Sequence, residues 1–178
     1  EAIEELKENE FKELYQDEND NETKEYVKDL QIDTDYEILF PDDYINNITE
    51  RLNLYNELSQ IKDEATLQQF EQKLIDRFGA LPKPAIALLN SVRIKWKATA
   101  IGLEKVVIKQ GKMVGYFISD QQSNFYQTSR FMKVLQFVQQ NGSICKMKEK
   151  ETKNGLRLLL TFENVKSINK ALELLEGI

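Results

Sequence analysis

Lys105-Val106-Val107-Ile108-Lys109-Gln110-Gly111-Lys112-Met113-Val114-Gly115-Tyr116-Phe117-Ile118-Ser119 is where the chain changes its hydrophobic period. Before Gly102 the apolar residues recur at helical spacing, and after it they alternate. The change calls for a second structural layer rather than a longer helical bundle. Residues 105–108 and 113–119 read as two strands joined around Gln110-Gly111-Lys112. Downstream, residues 124–140 read as a helix with Phe131, Leu135 and Val138 facing inward. Residues 143–149 and 156–162 read as two further strands. Their loop contains Asn154-Gly155, a hairpin signal because both residues tolerate positive φ. A last helix covers residues 165–175. The carboxyl half is therefore β-β-α-β-β-α, an antiparallel sheet layer with helices on one face.

Upstream, three helices are expected. The first covers residues 47–61, with Ile48, Leu52, Tyr55 and Leu58 on one face. The second starts at Asp63, whose side chain can accept from free amides, and buries Leu67, Phe70, Leu74, Ile75 and Phe78. Gly79 ends it, and Pro82 and Pro84 set up the third, residues 84–101, with Leu88, Leu89, Val92 and Trp96 as its stripe. Tyr36-Glu37-Ile38-Leu39-Phe40 reads as a short strand stopped by Pro41, which has no amide hydrogen to donate. Residues 17–35 are rich in Asp, Glu and Asn and read as a linker, with a short ordered piece at 26–30. Residues 1–16 carry Ile3, Leu6, Phe11, Leu14 and Tyr15 at helical spacing. The expected organisation is a helix plus acidic linker over residues 1–35 and one α+β domain over 36–178, a three-helix part packed with the antiparallel sheet layer.

Composition narrows the function classes. The length of 178 residues suffices for one domain with a real core. No stretch is apolar for long enough to cross a membrane, and the acidic start lacks the pattern of a secretory signal. The missing initiator Met is expected of a piece of a longer chain. One cysteine, Cys145, rules out an internal disulfide framework and fits a reducing, cytoplasmic compartment. Residues 1–78 hold 8 basic and 23 acidic side chains, a balance of −15, whereas residues 79–178 hold 16 basic and 7 acidic, a balance of +9. Such asymmetry fits nucleic-acid contact, a complementary protein surface, or two halves that each stay solvated.

Catalysis is tested by absence. Without histidine there is no Ser-His or Cys-His nucleophile pair, and the commonest metal ligand is missing. Without a glycine-rich loop followed by Lys-Ser or Lys-Thr there is no P-loop, so no catalytic residue, cofactor or metal site is expected in this stretch. Asp17, Asn19 and Asn21 mimic the start of a calcium loop. Glu22 stands where that loop needs Gly, and Lys28 where it needs a bidentate Glu. The adjacent carboxylates of Asp42 and Asp43 point apart after Pro41 and read as turn residues. Lys146, Lys148 and Lys150 share one strand face, either as protection of an edge or as a patch that tracks phosphates. Tyr116, Phe117, Phe125 and Tyr126 read as core more readily than as a base-stacking platform. Opposite the apolar stripe of the second helix lie Gln69, Gln72, Lys73 and Asp76, with Arg77 beside them, and Lys73 and Asp76 are close enough to pair.

Pro41-Asp42-Asp43-Tyr44-Ile45, Arg51-Leu52, Tyr55, Leu74-Ile75-Asp76-Arg77-Phe78-Gly79, Leu81-Pro82, Pro84, and Gly102, Glu104 and Lys105 follow one another in an order and spacing that resemble a bacterial family, the carboxyl-terminal domain of the transcription-repair coupling factors or Mfd proteins. The opening Glu1-Ala2-Ile3-Glu4-Glu5-Leu6 is similar to that family's helix leaving the motor domains. Past Val107 the likeness rests on position and element order. The resemblance implies a multidomain ATP-dependent translocase on double-stranded DNA that displaces stalled RNA polymerase and recruits the repair protein UvrA. ATP and magnesium would belong to motor domains outside this sequence. The present domain would dock on the UvrB-like module of the same chain, masking its UvrA-binding surface. The family's docking surface maps by resemblance onto Asp76 and Arg77. Lys73 stands where relatives commonly carry Glu, a charge reversal within that surface. Three readings stay open: an autoinhibitory docking domain, a nucleic-acid-binding domain using the basic half, and a structural cap of the motor.

Overall fold

The computed structural model describes residues 26–153 and 155–178. The helix expected over residues 1–16, the calcium-loop mimic at Asp17, Asn19 and Asn21, and Asn154 of the hairpin lie outside the described residues.

The order is β1 (Gln31–Thr34), α1 (Ile48–Ser59), α2 (Glu64–Phe78), α3 (Lys83–Ala100), β2 (Leu103–Lys109), β3 (Lys112–Phe117), a 3₁₀ turn (Asn124–Gln127), α4 (Ser129–Gln140), β4 (Cys145–Thr152), β5 (Gly155–Phe162) and α5 (Ile168–Glu176). The helix starts follow from local chemistry. The Asn47 side chain accepts from the Glu50 amide at 2.9 Å, and Asp63 accepts from the Thr66 amide at 2.8 Å. Those bonds from Thr66, backbone and hydroxyl, hold the Asp63 carboxyl below its ordinary pKa. Gly79 terminates α2 at φ +89° and ψ −167°, a conformation open almost only to glycine.

Two cores form, and α3 belongs to both. Phe40, Ile45, Leu54, Leu58, Ile61, Leu67, Phe70 and Leu74 gather around Ala85 and Leu89 at the start of α3. Further along, Ile94 and Ala98 enter the second core with Val106, Ile108, Met113, Phe117, Leu160 and Phe162 of the sheet and Val134, Ala171 and Leu175 of the last helices. At the junction Gly102 takes φ +86°, and the Phe125 ring fills the space that a Cβ would occupy.

The sheet order is β1-β2-β3-β5-β4, with β1 parallel to β2 and the other pairs antiparallel. The four strands expected in the carboxyl half pair antiparallel as expected, and a fifth strand, β1, joins them in parallel and makes the layer mixed. Its fifth strand falls at Gln31–Thr34, inside the stretch read as linker, while Tyr36–Phe40 is not a strand. The reason is visible in the partners. Gln31–Thr34 pairs along its length with Lys105–Ile108 of β2, and the Thr34 hydroxyl donates to the Ile108 carbonyl at 2.7 Å. Phe40 instead turns into the helical core, its ring 4.8 Å from that of Tyr55, whose hydroxyl accepts from the Phe40 amide at 2.8 Å. Val27 and Leu30 are buried in the second core, so the chain is ordered well before residue 36. The helix expected over 124–140 is also interrupted, because Thr128 leaves the helical region (φ −82°, ψ 159°) and caps α4.

Candidate functional site

The end of α2 is held in place by the turn that precedes α1. Amides of Tyr44 and Ile45 both donate to the Pro41 carbonyl, at 3.0 and 3.1 Å, and Asp42 pairs with Arg51 at 2.9 Å. Asp42 thus serves the turn, as its position after Pro41 implied. The turn aims Tyr44 at the far end of α2. Its hydroxyl donates to the Gly79 carbonyl at 2.8 Å, with the Leu74 carbonyl at 3.3 Å, and its ring lies 5.7 Å from that of Phe78. Burial raises the Tyr44 phenol above its ordinary pKa.

On the outer face of α2, Gln69, Gln72, Lys73, Asp76 and Arg77 are exposed, as the helical spacing implied. A shallow groove runs along this face, lined by Gln68, Gln69, Gln72, Lys73, Asp76 and Arg77. The charge pairing differs from the sequence expectation. Lys73 does not pair with Asp76 but reaches across to Glu57 of α1, its Nζ 2.9 and 2.8 Å from the two carboxylate oxygens. Arg77 likewise pairs with Glu50 of α1 and lies over the Phe78 ring at 4.9 Å. Asp76 stands between these two cations in sequence, yet its side chain has no hydrogen bond or ion pair among the described residues.

Glu50 and Glu57 are the residues that sequence reasoning missed. The available signal was two acids on one helix followed, after a short connection, by two bases on the next, in the order that an antiparallel helix pair brings together. The interactions themselves are weak. Side chains this exposed contribute about 0.2–1 kcal/mol per pair, so their role is to fix the positions of Lys73 and Arg77 more than to stabilise the fold.

Elsewhere the candidates divide. Phe117 and Phe125 are buried in the core, whereas Tyr116 lies on the sheet face away from the helices. Lys146, Lys148 and Lys150 are exposed on β4, an edge strand of the sheet. Cys145 is buried, and burial raises its thiol pKa. Among the described residues no cluster of three acids or thiols is placed to hold a metal ion, and no helix is long and apolar enough to cross a membrane.

The stretch that builds this surface lies within a family match: residues 34–128, from the end of β1 through α1–α3, β2 and β3 to the 3₁₀ turn, match the TRCF domain. The chain belongs to the TRCF domain family. This TRCF domain is 40% identical over 68 residues to the transcription-repair-coupling factor of Escherichia coli, which covers 38% of the chain and 6% of that protein. It is 29% identical over 141 residues to the factor of Buchnera aphidicola, covering 79% of the chain and 16% of the relative. The TRCF domain therefore spans only a small part of the curated relatives it matches. Its fold matches a crystal structure of the C-terminal domain of transcription-repair coupling factor, with a TM-score of 0.60, 19% identity and coverage of 84% of this chain and 92% of that one.

Proposed function

We propose that this TRCF domain is a regulatory docking module of a transcription-repair coupling factor, acting in transcription-coupled nucleotide excision repair. In this reading it binds the UvrB-like module of the same protein through the outer face of α2 and masks the surface that UvrA would take. The domain itself performs no catalysis. ATP, magnesium and RNA polymerase are engaged by other domains of the parent protein in the cytoplasm, and its motor domains move on double-stranded DNA.

The observation that carries this reading is the state of Asp76. Its neighbours Lys73 and Arg77 are already neutralised by Glu57 and Glu50, which leaves one exposed carboxylate free in the middle of the face. Such a group is best matched by an Arg or Lys of the partner, through a charge-assisted hydrogen bond. The same pairing answers the charge reversal at Lys73, since Glu57 supplies a counter-charge inside the domain.

The test is calorimetric titration of the 178-residue chain against the separately expressed UvrB-like module, with UvrA as competitor. Asp76→Arg is the cleaner variant, because Arg77→Glu would also set two carboxylates together at Glu50. Binding that UvrA displaces and that Asp76→Arg weakens at least tenfold supports the reading. A folded chain that shows no binding at high concentration refutes it.

A further inference from the structure

The five-stranded sheet buries one face and leaves the other open. Helices pack on the face that carries Val106, Ile108, Met113, Phe117, Leu160, Phe162 and Cys145. Register defines what lies on the opposite side. One row across the sheet reads Gln31, Lys105, Tyr116, Leu159 and Lys148, and the next reads Asp33, Val107, Val114, Thr161 and Lys146. Lys150 faces Arg157 one row further along.

The charge on this face is one-sided. Lys109 pairs with Asp33 at 3.0 Å, Lys112 with Glu163 at 3.7 Å and Arg157 with Glu104 at 2.8 Å. Lys105, Lys146, Lys148 and Lys150 have no ion pair among the described residues. Tyr116 organises the centre: the Arg157 guanidinium lies 5.2 Å and the Lys105 ammonium 5.8 Å from its ring centroid. Protection of an edge accounts for lysines on β4 but not for Lys105, which lies on β2 between two other strands.

We infer that this open sheet face binds the phosphate backbone of duplex nucleic acid without reading its sequence. Three features favour that partner over an acidic protein. Alternate residues on a strand repeat every ~6.8 Å, so Lys146, Lys148 and Lys150 span ~14 Å, a length over which one strand of a duplex, rising ~3.4 Å per nucleotide, presents about four phosphates. From β4 to β2 is three strand spacings, or ~14 Å, comparable with a major groove of ~12 Å, so Lys105 can reach the phosphates across the groove from those at Lys146–Lys150. The face also lacks the apolar anchor that protein interfaces use: Leu159 is 7% exposed, Val107 and Val114 are half-buried, and lysine is depleted at such interfaces. With its ring already stacked against cations, Tyr116 holds positive charge in place rather than receiving a base.

The test is fluorescence anisotropy of a labelled duplex DNA titrated with the 178-residue chain at a series of salt concentrations. The expected result is binding whose logarithm falls linearly with log salt and does not depend on duplex sequence. Replacing Lys146, Lys148 and Lys150 together by Gln should weaken binding at least tenfold at low salt and flatten that slope by about 2–3, since each phosphate contact contributes ~0.9. Lys105→Gln should flatten it by about 1. A control with Lys62, Lys95 and Lys133 of the helical side changed to Gln should bind as the parent does. Absence of binding by a chain with native circular dichroism overturns the inference. So does equal loss in the control, or binding of polyglutamate in preference to duplex, which would assign the face to an acidic protein.

Discussion

Tyr44 and Gly79 lie thirty-five residues apart in sequence and share a hydrogen bond of 2.8 Å from phenol to carbonyl. The bond joins the Pro41 turn to the end of α2, so that two stretches quoted separately from the sequence form one corner of the fold. Tyr44→Phe should cost about 0.5–1.5 kcal/mol in urea unfolding, the net worth of one such bond. Because Arg77 and Asp76 sit in the turn of helix that this corner holds, the variant should also weaken docking of the UvrB-like module. Full retention of stability would show that the corner is held by the Tyr44–Phe78 ring contact instead.

Gly79 and Gly102 both have positive φ, at +89° and +86°, but they differ in what surrounds them. Nothing lies within 4 Å of a Cβ built at Gly79, whereas the Phe125 ring fills that space at Gly102. Gly79→Ala should therefore cost about 1–3 kcal/mol from backbone strain alone. Gly102→Ala should cost a further ~1–3 kcal/mol for overpacking, because Phe125 is fully buried and closely packed. Equal midpoints for the two variants in chemical denaturation would contradict this ordering.

Tyr126 sets a limit at alkaline pH. Burial is the main cause that pushes its phenol up to about 12, with Glu104 and Asp120 adding to the rise and Arg157 opposing it. The folded chain therefore keeps this proton more firmly than the unfolded chain, whose tyrosines titrate near 10. The resulting stability is complete below about pH 10 and is lost as pH rises toward about 12. Unfolding midpoints followed between pH 8 and 12 should fall across that window. Tyr126→Phe should flatten the fall while losing the bond its hydroxyl donates to the Ile118 carbonyl.

The Lys73–Glu57 pair should be nearly silent in stability. Glu57→Gln should lower it by less than ~1 kcal/mol at low salt and by nothing measurable at high salt, because both side chains are close to half exposed. Thermal unfolding at two ionic strengths measures this. A large, salt-independent loss would mean that Glu57 does more than position Lys73.

Deleting residues 1–35, the stretch read from sequence as a helix and linker, should damage the fold. The deletion removes β1 and takes Val27 and Leu30, 4% and 6% exposed, out of the second core. At ~1.5–3 kcal/mol for each buried side chain, the loss is ~3–6 kcal/mol before the β1–β2 ladder is counted. A chain beginning at Tyr36 should unfold at a clearly lower urea concentration than one beginning at Tyr26.

Sequence and structure agree where the determinants are local. Asp63 caps the helix it was expected to cap, Gly79 closes α2, and the Gln110-Gly111 turn joins two strands in the expected order. The misreading at residues 31–40 has a physical cause. Gln31-Ile32-Asp33-Thr34 looks polar because it is an edge strand secured through its backbone, and Tyr36-Glu37-Ile38-Leu39-Phe40 looks like a strand because its apolar residues serve two cores instead. On α2 the exposed face was legible from helical spacing. Its partners Glu50 and Glu57 were not, because they depend on how two helices pack.

The parallel pairing of β1 with β2 gives the molecule an unusual nesting. Gln31 and Lys105 are neighbours in the sheet, and the chain between them builds the whole helical core before it returns. The helical unit is thus the cargo of a single crossover, with both of its gates in adjacent strands and α3 as the arm that carries it back. Displacement of the α2 face relative to the sheet would bend or pivot that helix, because α3 has residues buried in both cores. A partner that grips α2 therefore takes hold of a lever whose fulcrum, Ile94 and Ala98, is sealed inside the core of the sheet.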